Sequence, residues 1–249
     1  MKNSFYSDTE LVGLLGFPIK QSYSPFIHNV AAELTGTKII YLPFEVHSSN
    51  LKDAIKGMVA LGIRGLNVTY PHKVSVVEYL NKLSEEAAVI GAVNTIVNDL
   101  GKLTGYNTDV HGINVSLTPF KSTINGNEIS IFGSGGGARA VIYTLIRYYK
   151  PKKIYLINRT AEHAESLKQH FKNKMRFDVM VKIFSWKIFM ANPRAGAFRS
   201  RIRRQSRRAH SRFSSSGVSG LPDGKVQALP WARTKETVLY LSPRSGSSW

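Results

Sequence analysis

The seven residues from Asn67 to Lys73 constrain the fold of this chain more than any other feature of its sequence. They follow Gly65 and place an amide, a hydroxyl and an ammonium group at the end of a predicted strand. Pro71 interrupts the strand ladder, so the chain is expected to turn there. Because open α/β sheets bind their ligands outside the carboxyl ends of their strands, this stretch predicts the ligand site of an α/β protein.

Apolar strand-like runs alternate with amphipathic helical patterns over most of residues 10–178. This alternation is typical of α/β domains with parallel strands, and the turn residues at 118–126 predict a domain boundary. The predicted strands are Leu11–Phe17, Ile39–Val46, Gly65–Tyr70, Val93–Asn98, Lys102–Asn107, Glu128–Phe132 and Lys153–Asn158. The predicted helices cover residues 24–34, 48–61, 73–81, 84–90, 109–117 and 161–171, with another ending at residue 149.

The composition of the chain changes near residue 178. Lys and Arg outnumber Asp and Glu by 20 to 14 in residues 1–178 and by 14 to 2 in residues 179–249. The Arg-rich stretch 199–208 has neither a helical nor a strand period, and beyond the run Met180–Met190 the segment offers no face to bury. The sequence therefore predicts disorder in residues 179–249.

Three interpretations of this basic segment stay open. It is a nucleic-acid-binding tail, a solvated linker and tail, or the product of a change of reading frame near Asp178. Nucleic-acid binding would favour aromatic residues among the arginines, and residues 199–212 contain almost none. The abrupt switch from Lys-rich to Arg-rich and Ser-rich sequence favours the change of frame.

The chain contains no cysteine, which excludes disulfides, thiolate catalysis and zinc–cysteine sites. We predict no bound metal. The apolar run Leu11–Phe17 is too short to span a bilayer and lacks a preceding basic region, so we expect neither a signal peptide nor a membrane partner. We expect a cytoplasmic protein.

A glycine-rich loop lies between a predicted strand and a predicted helix. Without Cβ atoms its backbone amides can approach a pyrophosphate, and the helix N-terminus adds partial positive charge. The alternative is an ordinary strand-to-helix turn. The candidate cofactor-binding residues of this loop are Gly133, Ser134, Gly135, Gly136 and Gly137.

The next predicted strand ends at Asn158, Arg159 and Thr160. An acidic residue at this point would favour NAD, whereas the guanidinium of Arg159 suits a 2′-phosphate and favours NADP. The alternative is that Arg159 is a surface residue and that Thr160 caps the following helix.

Five further side chains are candidates for binding and catalysis. Ser22 and Ser24 precede a predicted helix and can hold a carboxylate, although Ser24 alone would also serve as an N-cap. Lys73 can exchange a proton if an acid holds it, and its alternative is a solvated lysine. Asn94 opens a strand and has the alternative of a strand-edge amide. Asp109 begins a helix and has the alternative of an N-cap.

The chain resembles the shikimate dehydrogenase family in six stretches that occur in the family's order. Together they extend over about residues 10–175, and their number makes the resemblance specific. The stretches are Ser22–Asn29, Asn67–Lys73, Gly91–Thr95, Gly105–Asp109, Gly133–Ala140 and Asn158–Thr160.

The resemblance implies the reversible, NADP-dependent reduction of 3-dehydroshikimate to shikimate, a step of aromatic amino-acid biosynthesis. It implies that Ser22 and Ser24 hold the substrate carboxylate and that Lys73 and Asp109 form the catalytic pair. The residues implied to meet the ring hydroxyls are Thr69, Lys73, Asn94 and Asp109. Asn67 would brace the site, and Glu85 matches a family position near the cofactor.

The resemblance also implies the domain organisation. We expect an N-terminal substrate-binding α/β domain at 1–118, a partial Rossmann-type NADP-binding domain at 119–178, and a basic tail at 179–249. The family's Thr-Pro-x-Gly-Met strand and its closing helix with a substrate-binding glutamine do not occur in residues 179–249. We therefore expect this chain to be inactive or nearly so, and to be a monomer or homodimer that binds shikimate or 3-dehydroshikimate.

Other functions remain as alternatives. One is a dehydrogenase of the same fold that also uses quinate, or that uses NAD. Another is a nucleic-acid-binding protein that acts through its Arg-rich tail. A third is a relative that binds shikimate without turning it over.

Overall fold

The computed structural model describes residues 8–183 and the backbone of two later strands, Val226–Pro230 and Glu236–Leu241. The chain forms two compact units. Unit 1 comprises Met1–Pro119 and Gly135–Lys150, and unit 2 comprises Phe120–Ser134 and Pro151–Trp249. Residues 135–150, which the sequence analysis placed in the second domain, thus group with unit 1.

The sheet of unit 1 has six strands in the order β2-β1-β3-β5-β6-β4. Its strands are β1 (Glu10–Gly16), β2 (Ile39–Glu45), β3 (Gly65–Val68), β4 (Lys82–Leu83), β5 (Thr95–Asp99) and β6 (Lys102–Tyr106). β1 runs parallel to β2 and β3, whereas β5 runs antiparallel to β3 and β6. The predicted hairpin around Asp99–Gly101 is confirmed.

Seven α-helices occur in the described part of the chain. They are α1 (Ser24–Thr35), α2 (Leu51–Ala60), α3 (Glu85–Ile90), α4 (Asp109–Leu117), α5 (Lys121–Ile124), α6 (Gly136–Thr144) and α7 (Ala161–Met175). α1 and α3 end at Gly36 and Gly91, whose φ angles of 68° and 67° are ones that glycine adopts readily. None of the described helices is long and apolar enough to cross a membrane.

The helix predicted over residues 73–81 is wrong. A short 3₁₀ helix, Ser75–Tyr79, and strand β4 occupy this part of the chain. Four of these nine residues are valine or tyrosine, which lose side-chain freedom in an α-helix. The backbone N–H of Asn81 instead donates to the carbonyl of Leu103 at 3.0 Å, an ordinary distance for such a bond.

Unit 1 is held together by a core between its sheet and its helices. Burial of these apolar side chains is the main stabilising contribution to the unit. Val76 belongs to this core and is fully buried, so its packing holds the turn that follows β3 against the core. The other buried members are Leu15, Leu51, Ile55, Met58, Ile63, Leu66, Val68, Ala87, Val93, Ile96 and Leu103.

The sheet of unit 2 has the order β10-β11-β7-β8-β9. Its strands are β7 (Glu128–Phe132), β8 (Lys153–Asn158), β9 (Met180–Ile183), β10 (Val226–Pro230) and β11 (Glu236–Leu241). Strands β11, β7, β8 and β9 are parallel and β10 is antiparallel. α7 packs against β8 and β9. The predicted strands at 128–132 and 153–158 are confirmed.

The disorder predicted for residues 179–249 is wrong for β9, β10 and β11. β11 pairs in parallel with β7, with Glu236 opposite Glu128. Its Thr, Val, Leu and Tyr residues favour extended backbone, and the open edge of β7 offers unpaired amides and carbonyls to such a segment. Residues 184–225, 231–235 and 242–249 lie outside the described residues, and so does the disorder predicted for them.

Candidate active site

The candidate site of unit 1 lies where several strands end. Ser22 and Ser24 follow β1, Thr69 and Lys73 follow β3, and Asp109 follows β6. β1 and β3 are parallel neighbours, so the segments that follow them leave the same edge of the sheet. This is the arrangement that the stretch Asn67–Lys73 predicted.

Lys73 and Asp109 form an ion pair at this edge. The ammonium Nζ of Lys73 lies 2.6 Å from Oδ2 of Asp109, and their side chains are 22% and 27% exposed. The backbone of Lys73 is fixed as well, because its carbonyl accepts a hydrogen bond of 2.7 Å from the N–H of Val93. A hydrogen bond of this length between two charged groups is charge-assisted, and the carboxylate orients the ammonium group.

The second oxygen of Asp109 is also occupied. Its Oδ1 accepts a 2.9 Å hydrogen bond from Nδ2 of Asn94. The alternative that Asp109 caps its helix is wrong, because Thr108 is the residue at the cap position and the carboxylate is used by Lys73 and Asn94. The backbone N–H of Asp109 donates instead to Oδ1 of Asn107.

Asn94 connects three segments of the site and is nearly buried. Its Oδ1 accepts hydrogen bonds from the backbone N–H of Thr108 at 2.9 Å and from Oγ1 of Thr95 at 3.0 Å. Its Nδ2 donates to Asp109 and also to Oγ1 of Thr108. Its backbone carbonyl accepts from the N–H of Val68. Asn94 therefore fixes the position of Asp109 rather than lying at a strand edge as a free amide.

Hydrogen bonds continue from Asn94 across the sheet. The hydroxyl of Thr95 that donates to Asn94 itself accepts from Nδ2 of Asn67 at 3.2 Å. Oδ1 of Asn67 accepts from the hydroxyl of Tyr41 at 2.8 Å. The hydroxyl of Ser24 interacts with the phenol of Tyr41. Oγ of Ser24 accepts a hydrogen bond from Oγ of Ser22 at 3.1 Å.

We call this connected set the polar chain. It joins the predicted carboxylate-binding serines to the predicted catalytic pair through side-chain interactions, which are hydrogen bonds at every link from Tyr41 to Lys73. Its members are Ser22, Ser24, Tyr41, Asn67, Thr95, Asn94, Asp109 and Lys73.

Tyr41 occupies the middle of the polar chain and is buried. Burial raises the pKa of Tyr41 to about 12, although the neighbouring hydroxyl of Ser24 acts in the opposite direction. The phenol therefore stays neutral near neutral pH and remains able to donate to Asn67. Its ring stacks on His28, with ring centroids 4.3 Å apart and planes 7° apart. Burial lowers the pKa of His28 from its ordinary value.

The predicted N-cap role of Ser24 is wrong. Tyr23 is the residue at the cap position of α1, without a side-chain hydrogen bond, and Ser24 is the first helical residue. Oγ of Ser24 accepts from the hydroxyl of Ser22 at 3.1 Å, and Oγ of Ser22 accepts from the backbone N–H of Ser24 at 3.3 Å. Both serine hydroxyls therefore belong to the polar chain and not to a simple cap.

Thr69 lies beside the polar chain at the end of β3. Its backbone N–H donates to the carbonyl of Leu15. A Cβ on Gly16 would approach Cγ2 of Thr69 to 2.3 Å, so only glycine at position 16 allows Thr69 its present place. His72, three residues further along the chain, is fully buried, and its Nε2 forms a hydrogen bond with the carbonyl of Val46.

The glycine loop is divided between the two units, with Gly133 and Ser134 in unit 2 and Gly135, Gly136 and Gly137 in unit 1. In unit 2, Gly133 has a φ angle of 101°, and its N–H donates to the carbonyl of Ile157 at 2.9 Å. Asn158 follows at the end of β8 and donates through Nδ2 to the carbonyl of Thr160, while Arg159 is exposed. Thr160 stands at the cap position of α7 but makes no side-chain cap bond.

In unit 1, Gly136 and Gly137 begin α6, which packs against α3 and α4. A Cβ on Gly137 would meet nothing within 4 Å. Glu85 lies exposed in the first turn of α3, whose cap is the hydroxyl of Ser84.

The cofactor roles of these residues stay predictions. Among the described residues, no group of three or more His, Asp and Glu side chains is placed to hold a metal ion.

Sequence reasoning missed three participants in the site, namely Tyr41, Thr95 and Thr108. Thr95 and Thr108 lie next to predicted residues, and their hydroxyls were the available signal. Tyr41 lies in the predicted strand β2, where a tyrosine is typical of a strand and carries no functional signal.

A family model, sequence relatives and solved structures all match this chain to shikimate dehydrogenases. The family model of the shikimate dehydrogenase substrate binding domain matches residues 14–96. A shikimate dehydrogenase (NADP(+)) of Pelodictyon phaeoclathratiforme is 49% identical over 160 residues, which are 64% of this chain and 56% of that relative.

Solved structures are similar over a comparable length. A crystal structure of a shikimate dehydrogenase in complex with NADP+ has a TM-score of 0.64 at 38% identity, covering 72% of this chain and 63% of that one. A shikimate 5-dehydrogenase of Listeria monocytogenes in complex with shikimate and NAD has a TM-score of 0.62 at 37% identity, covering 74% and 64%. The chain thus spans less than two thirds of the length of these relatives.

Proposed function

Because the chain belongs to the shikimate dehydrogenase family, we propose that its unit 1 binds shikimate and carries the proton transfer of the reversible, NADP-linked interconversion of shikimate and 3-dehydroshikimate. The observation that carries this proposal is the ion pair of Lys73 and Asp109, held at one end of the polar chain. Dehydrogenation of an alcohol requires a group that exchanges a proton with the reacting oxygen, and a fixed ammonium is suited to that role.

The other end of the polar chain supports a place for the substrate carboxylate. Ser22 and Ser24 present two hydroxyls at the start of α1, and the helix N-terminus adds partial positive charge there. Pro25 provides no backbone N–H, whereas the two hydroxyls can rotate to donate to a bound carboxylate. A ring with a carboxylate on one side and hydroxyls on the other matches this distribution of groups.

The chemistry at the ring end follows from charge. When 3-dehydroshikimate is reduced, negative charge grows on its carbonyl oxygen. The ammonium of Lys73 stabilises that charge and donates the proton, while Asp109 keeps the ammonium oriented. Asn94 holds Asp109 from the opposite side, so that the pair is ordered before substrate arrives. In the reverse direction the same lysine accepts the proton.

NADP is the cofactor that we propose, and the residues present fit its phosphates. Gly133 has a positive φ and lies at the end of β7 beside Asn158 at the end of β8, where backbone can approach a phosphate. The exposed guanidinium of Arg159 suits a 2′-phosphate. When bound, the nicotinamide supplies or accepts the hydride. Glu85, Gly135, Gly136, Gly137, Ser134 and Thr160 remain candidate contacts.

We propose that turnover by this chain is weak. Residues 179–249 do not contain the family's Thr-Pro-x-Gly-Met strand or its closing helix with a glutamine. Those parts would contact the nicotinamide and the substrate, whereas the polar chain lies within unit 1. Substrate binding is therefore expected to persist where hydride transfer is impaired.

Two assays of the full chain test the proposed function. Isothermal titration with shikimate should give saturable binding, and NADPH absorbance should report slow oxidation of shikimate with NADP+. Parallel reactions with NAD+ and with quinate distinguish the alternatives within the same fold. Oxidation that is as fast with quinate or with NAD+ would contradict the assignment of substrate or cofactor, and the absence of shikimate binding would contradict the function itself.

We further propose that the protein is cytoplasmic and is a monomer or homodimer. The diffusible substrate and cofactor of the proposed reaction support the first statement. Gel filtration with light scattering tests the second, and a larger assembly would contradict it.

A further inference from the structure

We propose that Gly136 is a positioning residue for Lys73, in addition to its predicted place in the phosphate-binding loop. The side chain of Lys73 lies directly against the Cα of Gly136, so the absence of a side chain at position 136 is what allows the lysine its present conformation. The catalytic consequence rests on the proposed function, whereas the contact itself does not.

The distances identify the stem of Lys73 as the neighbour. A Cβ built on Gly136 would lie 2.8 Å from Cβ, 3.2 Å from Cδ and 3.5 Å from Cγ of Lys73. Separations of 3.4 to 4 Å are ordinary for carbon atoms, so the closest of these contacts is forbidden. Cβ of Lys73 is attached directly to the backbone, and rotation of the side chain cannot move it away. An alanine at position 136 therefore requires a shift of backbone.

Both partners of this contact are held in place. The carbonyl of Lys73 accepts from Val93, and its ammonium binds Asp109 at 2.6 Å. On the other side, α6 packs against α4, the helix that begins with Asp109. Nη1 of Arg139 in α6 donates to the carbonyl of Ile90 at the end of α3. Neither segment can move without breaking a hydrogen bond or disturbing the ion pair.

The neighbouring glycine provides a contrast. A Cβ on Gly137 would meet nothing within 4 Å, although this residue is adjacent in the loop and in the same helix. Neither Gly136 nor Gly137 has a φ in the left-handed region, so the backbone at both positions accepts alanine without strain. A difference between the two alanine variants therefore reports the contact with Lys73 and not a general requirement of the loop.

The expected result of Gly136→Ala is displacement of Lys73 by several tenths of an ångström or more. Misplacement of a reacting group by about 1 Å can lower a rate about 100-fold. If the glycines served only the approach of the cofactor, both alanine variants would mainly weaken cofactor binding. We expect Gly136→Ala to lower kcat with a smaller change in KM for NADP+, and Gly137→Ala to leave the conformation of Lys73 as it is.

A thermal double-mutant cycle on the full chain tests the contact without requiring activity. Overpacking of this kind lowers Tm by about 3–10 °C in a protein of this size. Lys73→Gly removes all three atoms that the new Cβ would meet. In the Lys73→Gly background, Gly136→Ala should therefore cost little or no Tm, and Gly137→Ala should show no such coupling.

A second readout follows Lys73 itself. Acetylation of each lysine by acetic anhydride is quantified by mass spectrometry, with the exposed Lys56 as the internal reference. Gly136→Ala should raise the rate at Lys73 about fivefold, as expected for an ammonium released from its ion pair. Gly137→Ala should leave that rate unchanged.

The proposal is overturned if Gly136→Ala costs the same Tm with and without the Lys73 side chain, or if the acetylation rate of Lys73 does not change. If Gly136→Ala fails to fold, recovery of folding in the Lys73→Gly double variant supports the contact, and failure of the double variant contradicts it. These outcomes are independent of dehydrogenase activity, whose absence would bear on the proposed function alone.

Discussion

The two units organise their candidate binding residues differently. In unit 1 the side chains bind one another, from Ser22 to Lys73, and each polar group of the ion pair has a partner. In unit 2 the candidate residues use mainly backbone, as with the N–H of Gly133, and Arg159 extends into solvent. The contrast suits the two proposed ligands. A ring with several hydroxyls needs fixed side chains as partners, whereas a phosphate can be bound by backbone amides.

The difference also concerns how each region depends on the rest of the chain. The polar chain is contained in unit 1, and all of its members lie among the described residues 22–109. The sheet of unit 2 includes β10 and β11, drawn from the basic segment that the family motifs do not reach. We therefore expect substitutions in unit 1 to change substrate chemistry strongly and substitutions in unit 2 to change cofactor affinity more modestly.

The largest effect is expected for Lys73→Ala. Loss of the group that exchanges the proton should lower kcat for shikimate oxidation about 10²–10⁴-fold, with a smaller change in shikimate affinity. Turnover is measured at high enzyme concentration and affinity by titration. Lys56→Ala, on the surface of α2, is the matched control. Equal losses in kcat and in affinity would indicate that Lys73 only binds substrate.

Asn94→Ala tests whether the hydrogen bonds of the polar chain stabilise the fold of unit 1. The substitution leaves the N–H of Thr108 without its acceptor and Asp109 without one of its donors. We expect the free energy of unfolding in urea to fall by about 1–3 kcal/mol. Asn173→Ala, at an exposed position of α7, should change it little. Equal stability of the Asn94 variant and the original chain would contradict the network's role.

Arg159→Gln tests the simpler site of unit 2. Loss of a charge-assisted hydrogen bond should weaken binding of adenosine 2′,5′-bisphosphate about 10- to 100-fold and leave binding of AMP nearly unchanged. Titration calorimetry measures both, with Lys172→Gln as a control for the loss of an exposed positive charge. A similar loss for both nucleotides would show that Arg159 does not read the 2′-phosphate.

The smallest effect concerns pH and His28. Burial lowers the pKa of His28 in the folded chain, so the unfolded chain binds this proton more readily. The contribution of His28 to the free energy of unfolding is fully present above its ordinary pKa of about 6.5, and it is lost as the pH falls. His28→Phe keeps a ring against Tyr41 and should make Tm slightly less sensitive to acid between about pH 7 and 5. An unchanged pH profile would contradict this account.

Much of unit 1 could be predicted from local pattern. The strands at 39–45, 65–68 and 102–106 lie within predicted ones because their apolar runs are bounded by glycine and polar turns. The pairing of Lys73 with Asp109 was implied by resemblance, and the geometry agrees with it. For that pair the signal was the family resemblance and not the local pattern.

The rest depended on tertiary contacts. Ser24 and Asp109 both carry the chemistry of an N-cap, and only the positions of Ser22 and Lys73 direct their oxygens elsewhere. Tyr41 joins the polar chain because β2 lies beside β1, which no local pattern reveals. β11 was missed because its pairing with β7 spans more than a hundred residues of sequence.

The most direct test of the central claim is calorimetric titration of the full chain with shikimate in the absence of cofactor. We expect saturable binding to one site per chain, weakened about tenfold or more by Asp109→Ala, which leaves Lys73 without its partner. Absence of binding to the unaltered chain, or equal affinity for the Asp109 variant, would contradict it.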